Sequence, residues 1–124
     1  MRESMNYRKN LGSWGEQTAE NFLVRKGYHI IGENIRTPYG EIDLIGEQRG
    51  MIAFIEVKTR ASTAFGLPEE GVTLKKGAHM VNAAEAYMQD HPDLGSIWRL
   101  DVIAIRKLPG NQPPEIVHFE NVLT

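Results

Sequence analysis

The chain has 124 residues, 41% hydrophobic and 24% charged, with a net charge of −2 and no cysteine. That length suits one domain spanning residues 1–124. The missing cysteines exclude disulfides and thiolate metal sites. No apolar run approaches the roughly 20 residues that cross a membrane, so a cytoplasmic protein is expected. A dedicated electrostatic binder of nucleic acid would be visibly basic, and this chain is not.

The leading "MRESMNYRKN" is polar and is expected to fray. "SWGEQTAENFLVRKG" then reads as a helix: Ser13 and Glu16 fit a capping box, Ala19, Phe22 and Leu23 recur at helical spacing, and Gly27 suits the stop. "YHIIGENIR" reads as the first strand and residues 37–40 as a turn. Residues 40–45 and 51–58 follow as two strands, with "GEQRG" as the loop between them. Gly and Pro in "ASTAFGLPEEG" break any periodic pattern, which makes 59–68 a candidate lid. A second helix is expected from about Thr73 to Gln89, with Leu74, Ala78, Val81, Ala84, Tyr87 and Met88 on its apolar face. "IWRLDVIAI" and "EIVHFENVL" complete the pattern as strands, giving the order α-β-β-β-α-β-β. That order predicts a two- or three-layer α/β domain.

The run "GEIDLIGEQRGMIAFIEVKTR" holds the chemistry. Residues two apart share a strand face, so Glu56 and Lys58 point the same way, as do Glu41, Asp43 and Ile45. A hairpin that brings Asp43 near Glu56 gathers two carboxylates and one ammonium at one end of the sheet. Two close carboxylates repel, and burial penalises both. A hard divalent cation such as Mg²⁺ removes the conflict, because it takes one or two carboxylates together with waters and phosphate oxygens. Lys58 beside it could orient a water or stabilise charge on a phosphate. The plain alternative is a cross-strand ion-pair network on a half-exposed hairpin. Glu16 has two readings as well: capping acid for Ser13, or a carboxylate reaching toward the metal, with Gly12 and Gly15 allowing the helix a close approach.

The segments "GEIDLI", "FIEVKTR" and "GSWGEQTAENFL" resemble the YraN-like family of small bacterial proteins, a branch of the PD-(D/E)XK nuclease superfamily related in fold to Holliday-junction resolvases. The resemblance continues through "GYHIIGENIR", "LPEEGVTLKKGAHMVNAAEAYM", "RLDVIAI" and "HFENVL". It implies a restriction-endonuclease-like α-β-β-β-α-β core with a mixed central sheet flanked by helices. It also implies a metal-dependent nuclease acting on nucleic acid, DNA in the first place, with Mg²⁺ or Mn²⁺ as cofactor. Glu16 matches the acid of the first helix, Asp43 the motif aspartate, and Glu56 with Lys58 the (D/E)XK pair. The backbone carbonyl of Val57 becomes a further metal ligand, and Lys76, or Lys75 if the register slips, falls at the polar position of the second helix. Ile42 stands where the motif's name has proline. Resolvases of this fold act as dimers, so the resemblance admits a homodimer. A non-catalytic binding or assembly module that keeps the fold is the alternative.

Arg36, Arg60, Lys75 and Lys76 are the candidate phosphate contacts. Asp101 is expected to pair with Arg99 or another basic group, in a structural role. Glu41 is either a further ligand or an exposed strand residue. His29, His79, His91 and His118 share no ligand spacing, which argues against zinc. Trp14 and Trp98 are expected in or near the core.

Overall fold

Alternation along "MIAFIEVKTR" splits the molecule into two cores. The computed structural model describes residues 2–61 and 74–122, with side chains from 9 to 61 and from 79 to 122. Helix α1 (Arg2–Arg25) is followed by β1 (His29–Thr37), β2 (Gly40–Gln48) and β3 (Met51–Arg60). Helix α2 (Leu74–Asp90), a 3₁₀ turn (Pro92–Leu94), β4 (Trp98–Arg106) and β5 (Glu115–Phe119) complete the chain. The strands lie in the order β1-β2-β3-β4-β5. Every neighbouring pair is antiparallel except β3 with β4, so the sheet is mixed. A parallel pair cannot be closed by a tight turn, and α2 sits on the connection between β3 and β4.

On β3, Ala53 and Ile55 face α1 and pack with Ala19, Leu23, Leu44, Ile103 and Ile105. Ile52 and Phe54 face the other way and pack with Ala83, Ala84, Met88, Ile45 and Leu100. The result is three layers, with α1 and α2 on opposite faces of an α/β sheet, consistent with a restriction-endonuclease-like core. Among the described residues no helix is long and apolar enough to cross a membrane.

Three local expectations are corrected. Helix α1 begins at Arg2, so residues 2–10 are helical and Ser13 lies well inside the helix rather than capping it. Arg, Glu, Met and Lys are good helix formers, and Gly12 weakens the helix by only about 1 kcal/mol without ending it. Strand β2 runs to Gln48, which leaves only Arg49 and Gly50 in the turn, at φ +54° and +79°. Two successive left-handed residues match the twist of the strands, so no five-residue loop is needed. The last strand stops at Phe119, because Asn121 turns the chain at φ +54° and its N–H goes to Asp101 Oδ1 at 2.9 Å.

Asp101 is fully buried on β4 and takes four donors. Arg99 gives Nε at 2.9 Å and Nη2 at 3.2 Å, His118 gives Nε2 at 2.8 Å, and Asn121 gives its N–H. Lys26 Nζ lies 2.8 Å from His118 Nδ1. An ammonium cannot accept, so Nδ1 is the acceptor and the ring proton sits on Nε2. This network ties β4, β5 and the end of α1 together, the structural role expected of Asp101. Trp14 packs against the α1 core, and Trp98 meets Phe54 edge to face at 5.7 Å, as expected of both.

Candidate active site

The ladder between β2 and β3 runs from Gln48–Met51 to Leu44–Ile55 and goes no further. At the point where it ends, the Val57 N–H donates to Asp43 Oδ2 at 2.9 Å. Asp43 therefore anchors itself to the next strand through its side chain. Glu56 lies one residue before that donor, and Asp43 and Glu56 share the wall of a cavity of about 120 Å³ between the sheet and α2. Lys58, on the same strand face as Glu56, places Nζ 3.2 Å from Glu56 Oε1, with both side chains at most 15% exposed. The structure thus brings together the acid-acid-lysine set expected from the sequence.

Glu16 comes to this site from the opposite side of the sheet. It lines a cleft with Leu11, Gly12, Val57, Thr59 and Arg60. The approach depends on Gly15, where a β-carbon would overlap Thr59 Oγ1 on β3. Gly12 plays no such part, since nothing lies within 4 Å of a β-carbon built there. With its amide nitrogen turned toward the carboxylates, Asn34 donates to Glu16 Oε2 at 3.2 Å and to Glu41 Oε1 at 3.1 Å. Asn34 sits in β1 at φ +48°, between the pairs Glu33–Leu44 and Ile35–Ile42. Asn tolerates that left-handed backbone better than most residues. Sequence reading missed it, because only the folded register puts an isolated strand asparagine between two acids.

Burial pushes the Asp43 carboxyl from 3.8 up to about 6, and the charges of Glu16, Glu56 and Glu41 push the same way against the Val57 hydrogen bond. Burial also raises Glu16, an effect eased by Asn34 and reinforced by Glu41 and Glu33. Repelling carboxylates at a partly buried point suit a cation. Among the described residues no group of three Asp, Glu or His side chains forms a ready metal cage. Two carboxylates alone fit a hard cation that keeps several of its waters, as Mg²⁺ does, rather than one that the protein encloses.

The other candidates divide. Arg60 joins the Glu16 cleft, and its Nη1 donates to its neighbour's carbonyl, Thr59 O, at 3.3 Å. Arg36 is exposed on β1, paired in register with Glu41. Glu41 is itself exposed and lines the cavity with Asp43. The side chains of Lys75 and Lys76, and the candidate lid from residue 62 onward, lie outside the described residues. The four histidines are dispersed, yet His79, which sequence reading passed over, lines the same cavity as Asp43 and Glu56. No signal short of the docking of α2 would have shown this.

The model of the uncharacterised protein family UPF0102 matches residues 15–105. A UPF0102 protein of Syntrophomonas wolfei is 44% identical over 97 residues, 78% of this chain and 84% of its own length. One from Chloroherpeton thalassium is 38% identical over 120 residues, 93% of each chain. A third, from Desulfosudis oleivorans, is 39% identical over 102 residues, covering 82% of this chain and 83% of its own.

Proposed function

The chain belongs to the uncharacterised protein family UPF0102, the YraN family, and we propose that it is a metal-dependent nuclease hydrolysing phosphodiester bonds of nucleic acid, with DNA as the first candidate. The observation that carries this reading is the meeting of Asp43 and Glu56 on one cavity wall, with Lys58 held 3.2 Å from Glu56. Asp43 and Glu56 would hold Mg²⁺ or Mn²⁺, with the Val57 carbonyl as a further oxygen. Bound there, the cation supplies a Lewis acid for the scissile phosphate and lowers the pKa of the attacking water.

The chain's own groups supply the rest. Lys58 brings a positive charge and donor hydrogens to the side of the carboxylates, where it orients the water and stabilises charge growing on the phosphate. The Val57 N–H fixes one oxygen of Asp43 and so sets the direction of the other. Asn34 holds Glu16 at the edge of the site, where its carboxylate orders water. Arg60 and Arg36 bind phosphates of the backbone and fix its register without reading sequence.

A nucleic-acid-binding or assembly module without turnover is the second reading, since a fold does not by itself establish an activity. Labelled single-stranded, duplex, flapped and four-way-junction substrates, incubated in Mg²⁺, Mn²⁺ and chelator, separate the two. Metal-dependent cleavage that folded Asp43→Ala and Lys58→Ala variants lose supports the nuclease. No cleavage of any substrate, with binding unchanged in the variants, overturns it in favour of the module.

A further inference from the structure

We infer that the cavity beside Asp43 and Glu56 takes up one unstacked nucleobase, so that the strand acted on is unpaired next to the scissile phosphate. This rests on the reading of Asp43 and Glu56 as the phosphate-processing site and adds to it a substrate class.

The cavity combines two chemistries. Its wall carries carboxylates together with the apolar side chains of Ile42, Phe54, Met80 and Ala83. Its volume is about 120 Å³, of the order of the apolar cavity of about 150 Å³ that binds benzene, so it can take one flat heterocycle, with part of a purine left outside. Its wall carries three acidic side chains, Glu41, Asp43 and Glu56, against one histidine, His79. The three carboxylates disfavour a phosphate inside the cavity, whereas a neutral ring meets apolar walls and can donate to the carboxylate acceptors.

Tyr39 lines both this cavity and the neighbouring groove. It is 49% exposed, a poor place for an aromatic whose only task is packing. Its backbone is set by a tight turn. Thr37 Oγ1 accepts from the Tyr39 N–H at 3.1 Å and donates to Gly40 O at 2.7 Å. Gly40 then takes φ +128°, a conformation closed to ordinary side chains. The turn fixes the backbone from which the ring projects, so stacking on a base costs only the ring's own two torsions. Beyond Tyr39 the surface turns acidic again, with Glu85 and Asp90 lining the next groove. The sugar-phosphate chain is thereby turned toward Arg36, exposed on β1 and paired in register with Glu41, while the base points inward. A base inside a duplex is stacked and paired, and reaches such a pocket only if it is flipped out.

The test uses the whole protein with Ca²⁺ in place of Mg²⁺ and a short oligonucleotide carrying 2-aminopurine, either single-stranded or annealed. The expected result is a change of 2-aminopurine fluorescence on binding the single strand. Tyr39→Ala should weaken that binding by about 10-fold, the scale of losing one base–aromatic stack, with Tyr39→Phe close to wild type. Duplex binding should not depend on Tyr39, and an abasic nucleotide at the probe position should remove the difference. Equal binding by wild type and Tyr39→Ala, or an equal loss on duplex, overturns the pocket. Tyr39-dependent binding with no cleavage in any metal would remove hydrolysis and leave the pocket. Cleavage with Tyr39-independent binding would remove the pocket alone.

Discussion

The Asp43 side chain crosses from β2 to β3 and accepts the Val57 N–H at 2.9 Å, immediately beyond the last ladder pair, Leu44–Ile55. This hydrogen bond holds a carboxylate among three others, Glu16, Glu56 and Glu41, each of which disfavours its charge. The fold therefore stores an unfavourable charge where the proposed metal would sit.

Replacing that charge should stabilise the metal-free protein. Asp43→Asn keeps an acceptor for Val57 and removes the repulsion. The raise from 3.8 to about 6 corresponds to at most about 3 kcal/mol, and solvent screening brings the expected gain near 1–2 kcal/mol at pH 7.5. Because the folded pKa is the higher one, this group favours folding below about pH 4, and that contribution is lost as pH rises through about 6. Urea titrations at pH 4 and 7.5 should show the Asn variant's advantage only at the higher pH. An advantage equal at both would remove the electrostatic explanation.

Mg²⁺ or Mn²⁺ should raise the melting temperature of the wild type at pH 7.5. A cation present at 100 times its Kd adds about 2.7 kcal/mol. Asp43→Asn and Glu56→Gln should each lose most of that gain. Calorimetric titration of the metal alone reads the same effect without any nucleic acid. Unchanged affinity in both variants would place the cation elsewhere.

Lys58→Ala separates holding a metal from using it. The variant removes the ammonium 3.2 Å from Glu56, so Mn²⁺ binding should persist or strengthen. Cleavage should fall by roughly 10²–10³-fold, the usual scale for losing one transition-state donor. Loss of metal binding instead would make Lys58 a structural partner of Glu56.

Gly15→Ala should destabilise by about 1–3 kcal/mol, because the new methyl group must displace Thr59 or push α1 off the sheet. Gly12→Ala is its control. Nothing lies within 4 Å of that position, so helix propensity should stabilise the protein by up to about 1 kcal/mol. Thermal melts of the two variants should move in opposite directions.

Asp101→Ala should cost about 3–5 kcal/mol, since it leaves Arg99 and His118 facing a buried void. Burial by itself would raise the Asp101 carboxyl, but donors from His118, Asn121 and Arg99 outweigh it and hold the carboxyl below 3.8. Its contribution is therefore complete above pH 3.8 and fades as pH falls through the lower folded value. Acid titration of the wild type should show an unfolding step below pH 3.8 that the variant lacks. Metal binding per folded molecule should not change.

The sequence by itself determined the order of the elements, the sheet-facing alternation of β3, and the set Asp43, Glu56 and Lys58. Those follow from strand periodicity, which decides which side chains share a face before any partner is known. It also pointed to Gly15 as a place of close approach, though it set Gly12 beside it on equal terms. Only the tertiary structure told them apart, because one faces Thr59 and the other open space. The same holds for the start of α1, where the capping pattern at Ser13 was outweighed by a helix already running from Arg2. Asn34, His79 and Tyr39 carry no local signal. They join the site through the β1–β2 register, the docking of α2 and a turn locked by Thr37. Contacts between residues far apart in the chain are set by packing, which no spacing along one segment encodes.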